Sequence, residues 1–431
     1  MSTHLSRRHL LSLGAAAAGA AGLAACGASS QPADPNAPVA LRFAWWGSTA
    51  RHEATQKIID AFQAANTNIT VAGEPGDFSA YFDRLATQTA AGDAPDIITL
   101  GGAYVAEYAQ RGALLDLGTV SSQLDLKSWM DATAVTNGQV KGVQYAATTG
   151  VNALTIITNP TLFEAAGVDL PDQKTWTWDE FAELSAEITA KSPDGTYGSA
   201  GTLTHDSLDC WARQRGESLY TPEGGLGLTV DTVAGLFALS KQMVDQKGAP
   251  PATVITEKAD VPNEQTLMGT NKAAMMLTWS SSTSALSSAA GTDLQLLDLP
   301  GESPKPGLWL QSSMYFAISA KSKNPEAAAK FIEFALNTPE AGKLVLTDRG
   351  VPANATVRKA IADELSTTGK AEVNYIDYQS TKDLQQSIIG PAGSTAVSDI
   401  TKRALTDVIF GRATPQDAAK KWFSESEQAI K

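Results

Sequence analysis

The stretch VALRFAWWGSTARHEATQKIIDAFQAA, residues 39–65, carries the reading from which the fold follows. Val39–Trp45 is a short run rich in β-formers. Thr49–Ala65 then sets Ala54, Ile58, Ala61, Phe62 and Ala65 at helical spacing on one face. A strand feeding a helix with a single apolar stripe buries that stripe against a sheet. The unit repeats downstream. Ile69–Ala72 reads as a second strand, Ala80–Ala91 as a helix carrying Phe82, Leu85 and Ala86, and Asp96–Leu100 as a third strand ending in Gly101-Gly102. Tyr104–Arg111 reads as another helix, stopped by Gly112 at the capping place. Repeated strand–helix–strand units predict a parallel, doubly wound sheet with ligands outside the carboxyl ends of its strands. That places interest on Trp45–Thr49, Glu74–Phe78 and Gly101–Tyr104.

Farther along, Asn152–Thr158 is an apolar, β-branched strand, and Thr177-Trp178-Asp179-Glu180 fits a capping box opening a helix with Phe181, Leu184 and Ile188 inward. Asn324-Pro325-Glu326 starts a helix whose apolar face holds Ala328, Phe331, Ile332 and Ala335, and Thr338-Pro339-Glu340 starts the next. Ser394 to Ile430 is again helical, with Thr414-Pro415 opening the last segment.

Upstream of Val39 the composition changes. A polar start with Arg7 and Arg8 leads into an Ala/Leu stretch from Leu10 to Ala25, then Cys26 and a Gly/Ser/Pro-rich segment to Pro38. The apolar run is too short to span a bilayer comfortably, which makes residues 1–25 a signal peptide and 26–38 a flexible linker. Ser6-Arg7-Arg8-His9-Leu10-Leu11 resembles the twin-arginine export signal, with Leu10 where Phe is commoner and Ser12 where Lys is commoner. Twin-arginine and general secretory export therefore both stay open. Leu23-Ala24-Ala25-Cys26 resembles the bacterial lipobox, which implies a mature chain beginning at Cys26 with lipid on its sulfur and amine.

The chain has 431 residues, 33 basic and 46 acidic, for a formal charge of −13. Cleavage before Cys26 removes two Arg and no acid, taking the charge to −15. An acidic chain without a Lys/Arg cluster lacks the footprint for nucleic acid or an anionic membrane surface. Of four His and two Cys, only His52, His205, Cys210 and the acylated Cys26 remain after cleavage. Neither a disulfide within the chain nor a multi-His metal site is expected, and Cys210 reads as buried and inert.

Five blocks, in order along the chain, carry a resemblance. They are Leu41–Trp46, Ala91–Ile98 (AGDAPDII), Tyr108–Leu117 (YAQRGALLDL), Asn271–Met276 (NKAAMM) before Trp279, and Asn324–Ala328 (NPEAA). Together they resemble bacterial extracellular solute-binding proteins of family 1, the sugar-type binding lipoproteins of ABC importers that include the maltodextrin-binding class. The resemblance runs from about residue 39 to about residue 425. It implies an α/β, two-lobe periplasmic-binding-protein fold (type II) with an interlobe ligand cleft and a three-segment hinge. Lobe one would take residues 39–149 and 313–350, and lobe two residues 151–311 and 352–431. It further implies a monomeric, extracytoplasmic receptor, lipid-anchored to the outer face of the cell membrane, that captures a carbohydrate, an oligosaccharide in expectation, by lobe closure and passes it to permease subunits without a cofactor or metal.

A pyranose has apolar C–H faces and a hydroxyl rim, so its site needs flat aromatic surface and polar side chains. Nine Trp supply the first. Trp46 ends the first strand, followed by Gly47 and Ser48. Strand alternation lets one of Trp45 and Trp46 face the core, and Trp46 is taken for the ligand. Trp279, before Ser280, matches by resemblance a position that often stacks sugar, and Asn152 a position that often holds a polar ligand group. Asp77, Tyr81 and Tyr104 flank predicted helix starts at the cleft edge, where Asp77 is equally an N-cap and Tyr104 equally a packing residue. His205, Asp206 and Trp211 lie in a polar segment of lobe two, and Gln311 approaches the second crossover beside Trp309 and Ser312. Trp176 and Trp178 read as structural.

Enzymatic signatures are missing: there is no Gly-x-Ser-x-Gly elbow and no phosphate loop, and Gly224-Gly225-Leu226-Gly227 lacks dinucleotide spacing. Two rivals stay open. A secreted glycosidase needs only two carboxylates. The same fold with Trp46 and Trp279 as an aromatic cage would hold a cation such as betaine or a polyamine, with Asp77 or Asp206 as the available carboxylates.

Overall fold

The computed structural model describes residues 37–431 except 103, 260, 302–304, 387–389 and 392. The leader, the lipobox and Cys26 lie outside the described residues. Val39–Trp46 (β1), Ile69–Gly76 (β2) and Ile97–Leu100 (β3) form the parallel part of a six-stranded sheet, with Thr49–Ala65 (α1), Phe78–Ala91 (α2) and Tyr104–Gln110 (α3) between and after them. Helix α1 has the bounds the apolar spacing predicts, because Ser48 caps it and Ile58, Ile59 and Phe62 bury its stripe.

The sheet is not wholly parallel. Its order is β2-β1-β3-β9-β4-β10, where β4 is Ala146–Asn152, β9 is Gln311–Ile318 and β10 is Val351–Pro352. Strand β9 runs antiparallel to both β3 and β4. It arrives from the far half of the chain, not through a local helical crossover, so the rule that makes βαβ neighbours parallel does not govern it. A second, four-stranded sheet has the order β8-β5-β7-β6, with β5 Leu154–Thr158, β6 Tyr197–Ser199, β7 Ala273–Trp279 and β8 Gln295–Leu297.

The apolar run predicted as one strand over 152–158 is two strands. Strand β4 ends at Asn152 in the first sheet and β5 begins at Leu154 in the second. Ala153 between them is fully buried. Ser280 holds it from the other pass of chain: the Ala153 N–H donates to Ser280 Oγ (3.2 Å), and the Ser280 N–H donates to the Ala153 carbonyl (2.9 Å). Four segments of chain thus meet within a few residues, since Gln311 also pairs with Asn152 and Val351 with Val151.

Helices Pro325–Asn337 and Pro339–Val345 return to the first sheet. So does Ala355–Ile361, whose Val357 and Ile361 cluster with Leu346 and Leu365. That places the chain beyond 352 against the first body for longer than the predicted boundary allows, because this helix finds its apolar partner there. Helix Thr367–Ser380 straddles both bodies. Tyr375 donates to the Leu154 carbonyl (2.7 Å), and Glu372 accepts from the N–H (2.9 Å) and hydroxyl (2.8 Å) of Ser284, on Thr283–Ala290. Ser394–Ile409 and Pro415–Ala429 close the second body, with Trp422 fully buried.

Trp45 and Trp46 are both buried, which corrects the expectation that one of them faces away from the core. Alternation sends them to opposite faces, and helices cover both. Trp45 lies with Phe43, Phe62 and Phe331, and Trp46 with Tyr81, Phe82 and Tyr108. Phe331 is fully buried and meets the rings of Phe43 and Phe62 at 5.2 and 5.1 Å. Phe331→Ala should therefore cost about 3–5 kcal/mol. Chemical denaturation should show a lower midpoint with an unchanged slope.

Candidate ligand-binding site

A cavity of about 920 Å³ opens where the two bodies meet. Ser48, Arg51, Thr347 and Asp348 line it from the first body, Trp279, Ser281 and Ser284 from the second, and Asn152 and Gln311 from the junction. The first-body wall is set by the start of α1. The Ser48 hydroxyl accepts from the Arg51 N–H (3.3 Å), the usual way to satisfy a first-turn donor. A Cβ on Gly47 would come within 2.5 Å of Arg51 Cδ, so glycine there lets Arg51 lie across the turn. Arg51 then reaches Asp348, with Nε to Oδ2 at 2.6 Å and Nη2 to the Asp348 carbonyl at 2.8 Å. Behind this pair Arg349 is buried over the ring of Phe316 and donates to Thr55 Oγ1. Burial, then the charge of Arg51, lowers its pKa to about 10.

The junction supplies the amides. Asn152 is only 6% exposed, and its Nδ2 donates to Ser281 Oγ (3.1 Å) while Oδ1 has no hydrogen-bond partner. Gln311 Oε1 accepts from the indole N–H of Trp309 (3.0 Å), which leaves Nε2 as a donor. On the second body Trp279 is half-buried at the end of β7. Its ring stands edge-on to Trp309 (6.1 Å, 76°), and its N–H donates to Asp206 Oδ2 (3.0 Å).

Asp206 leads to a second cavity of about 400 Å³, which it lines with His205, Leu277, Ser398 and Leu405. His205 lies in the first turn of His205–Gln214, and its Nδ1 is 3.0 Å from Thr401 Oγ1. Burial lowers its pKa, against the opposing pull of Asp206, Asp209 and Asp399.

Four of the predicted residues, Ser48, Asn152, Trp279 and Gln311, therefore line the main cavity, and His205 and Asp206 line the second. Trp46 and Tyr104 belong instead to an aromatic cluster on the first body. The Gly47 N–H donates to the Gly76 carbonyl. Asp77 precedes α2 with an exposed side chain that makes no cap hydrogen bond. Three residues are closed to a ligand. Tyr81 is fully buried, with its hydroxyl donating to the Thr99 carbonyl and accepting from the Thr99 N–H. Trp211 is buried, donates to the Thr232 carbonyl and is covered by Arg215 at 3.4 Å. Ser280 spends its hydroxyl on Ala153. Cys210 is fully buried, and burial raises its thiol pKa. Sequence reasoning missed Arg51, Thr347, Asp348, Ser281 and Ser284; of these only Arg51, one turn after the Ser48 cap, had a local signal.

The profile of the bacterial extracellular solute-binding protein family matches residues 46–342. The chain belongs to this family. An uncharacterized lipoprotein of Streptomyces antibioticus is 27% identical over 348 residues, 76% of this chain and 73% of its own. Among solved structures, a periplasmic solute-binding protein of Pectobacterium atrosepticum superposes with a TM-score of 0.81 at 25% identity, covering 91% of this chain and all of the other. A periplasmic oligogalacturonide-binding protein of Yersinia enterocolitica, solved with saturated digalacturonic acid, gives 0.78 at 22% identity over 91% of this chain and 98% of its own. The two bodies are thus the two lobes of a solute-binding protein, and the cavity at their junction is an interlobe cleft.

His205 makes the pH response of this extracellular solute-binding protein predictable in sign. Folding depresses its pKa below the ordinary 6.5, so the unfolded chain takes up the proton first as pH falls. The associated stability is full above that value and is lost as pH drops from there toward the folded pKa. His205→Gln should lose less Tm than the parent between about pH 7 and 5 in a thermal melt series. Parallel curves would exclude this source.

Proposed function

We propose that this protein is the lipid-anchored, extracytoplasmic receptor of an ABC importer and that its cleft takes a carbohydrate. The observation that carries the reading is Asn152 Oδ1, a buried acceptor without a partner beside the main cavity, with the Trp279 ring on the facing lobe. An open buried acceptor costs about 1–3 kcal/mol, and a ligand hydroxyl removes that cost by donating to it. The serine hydroxyls and the Gln311 amide can pair further hydroxyls of the same ring, and Trp279 offers its apolar face. That the Yersinia protein binds an oligogalacturonide supports a sugar without naming this one.

A cation fits the same groups less well. The aromatic cage would need Trp46 beside Trp279, and Trp46 does not line the cavity. Carboxylates beyond Asp77 and Asp206 do line it, which corrects the earlier count. Of the three, Glu264, Asp348 and Glu364, Asp348 is held by Arg51 and Glu364 by Lys343 (3.0 Å), which leaves a single carboxylate, Glu264, for a cation. Asp206 already accepts from Trp279. A glycosidase meets the same difficulty, because two carboxyl groups free to trade protons across a bond are needed. Membership of a solute-binding family favours capture without chemistry.

Calorimetry against mono-, di- and trisaccharides, betaine and spermidine tests the reading. Saturable heat with a saccharide is expected, and binding of the cations alone would sink it. Trp279→Ala should weaken saccharide binding by about 1–3 kcal/mol, and an unchanged affinity would remove Trp279 from the site. For the anchor, Cys26→Ser should shift the protein from the membrane fraction to the soluble one with its fold intact. Retention at the membrane would argue against acylation of Cys26.

A further inference from the structure

The second cavity, of about 400 Å³, is lined by the second lobe alone. Its walls are the turn after β6, helices Ala252–Lys258 and Ser394–Ile409, and β7. Ser398, Lys402, Leu405 and Ile409 line it at spacings of three and four, so one face of the long helix is given to it. Its chemistry differs from that of the main cavity, whose walls carry the hydroxyls of Ser48, Ser281, Ser282, Ser284 and Thr347. Here Leu203, Ile255, Leu277, Leu405 and Ile409 supply aliphatic surface, and no Phe, Tyr or Trp among the described residues lines the space. Without a flat ring to stack on, what enters is held by being withdrawn from water. An aliphatic cavity of about 150 Å³ is enough for benzene, so this one has room for a substituted phenyl ring or a short alkyl chain.

Two observations make this space continuous with the main cavity. Asp206 lines the one and Trp279 the other, and the Trp279 N–H donates to Asp206 Oδ2 at 3.0 Å. Leu277, which lines the aliphatic space, shares a face of β7 with Trp279 two residues on. Beside Asp206 stands His205, whose tautomer is fixed by its neighbour. Thr401 Oγ1 has one hydrogen, which it donates to the Val397 carbonyl (2.8 Å), and it accepts the indole N–H of Trp422 (2.8 Å). Toward His205 Nδ1, 3.0 Å away, it is left to accept, so Nδ1 carries the proton and Nε2 of the neutral ring is an acceptor. Nε2 has no hydrogen-bond partner among the described residues.

We propose that the second cavity receives an apolar group carried by the saccharide itself, so that the ligand is a glycoside with an alkyl or aryl substituent. This rests on the carbohydrate reading and adds the substrate class to it. The sugar lies between Asn152 and Trp279, and its substituent passes Asp206 into the aliphatic space. A hydroxyl at the joint between the two parts donates to His205 Nε2 or to Asp206.

The test is calorimetry on the full mature chain with glucose, galactose, maltose, cellobiose and lactose, each as free sugar and as methyl, octyl and phenyl glycoside in both anomers. The octyl glycosides are kept below the concentration at which they form micelles. For the sugar that binds, the octyl or phenyl glycoside should bind about tenfold tighter than the methyl glycoside. Thr406→Phe, which fills the space from a half-buried helix position, should abolish that gain, and Ile255→Ser should reduce it about threefold. Both should leave the methyl glycoside within about twofold of the parent, which also reports that each variant is folded. Equal affinity for the methyl, octyl and phenyl glycosides, or a gain that survives either variant undiminished, would overturn the assignment and leave the carbohydrate reading standing. Failure of every free sugar and glycoside to bind the parent would overturn both.

Discussion

The backbone exchange between Ala153 and Ser280 is made where the chain passes from one sheet to the other, and it uses a donor and an acceptor from each side. A buried crossover would otherwise leave an N–H and a carbonyl without partners, at a cost of about 1–3 kcal/mol each. Ser280 meets both needs with its hydroxyl and its N–H, and so the two passes must run side by side. Everything at the cleft inherits that placement. Asn152 precedes the exchange by one residue, Trp279 precedes Ser280 by one, and Ser281 follows it to accept from Asn152. The amide and the indole that line the cavity are brought together by this exchange, with no long-range side-chain ion pair between them.

A second constraint acts through Glu372. Its carboxylate is 1% exposed, and burial raises its pKa, while hydrogen bonds from the N–H and hydroxyl of Ser284 and from Thr347 pull it the other way. Ser284 lies on the second lobe, and Thr347 precedes the Asp348 that Arg51 holds. A buried carboxylate with its donors removed is far more costly than one never formed. Helix Thr367–Ser380 is therefore held to both lobes at once.

Local order was readable where one pattern decided it. The apolar spacing gave α1 its bounds, and the Thr177–Glu180 box forms as read, with both of its hydrogen bonds. What failed did so for tertiary reasons. In a sheet covered on both faces, alternation no longer separates Trp45 from Trp46, since both sides are interior. Residues 146–158 are buried throughout, and Asn152, the polar residue at the break, is buried with its neighbours, so no exposed turn marks the change of sheet at Ala153. Of the residues that line the cavity, Trp279 and Asn152 were expected from the family resemblance, Gln311 from its approach to a crossover and Ser48 from its place after the first strand. Tyr81, Trp211 and Ser280 had suitable chemistry, but backbone groups or a neighbouring guanidinium had already consumed it. Arg51 and Asp348 are separated by 297 residues, and no local rule pairs them.

Closure follows from how these groups divide between the lobes. A ligand shifts an open–closed equilibrium only by the difference in its contacts with the two states, however tightly it binds either. Asn152 and Gln311 sit at the junction, paired with each other across β4 and β9. On the proposed reading, a ligand's hydrogen bonds to them, made at the junction and not across the gap, supply affinity without a closing force. Ser48 and Arg51 lie on one lobe and Trp279 on the other, so contact with both sets requires that the lobes approach. The free energy of closing must then come mainly from the far walls, Trp279 above all, because its ring has a large apolar face to bury and its N–H is already committed to Asp206. A ligand short enough to satisfy only the junction would bind and leave the cleft open.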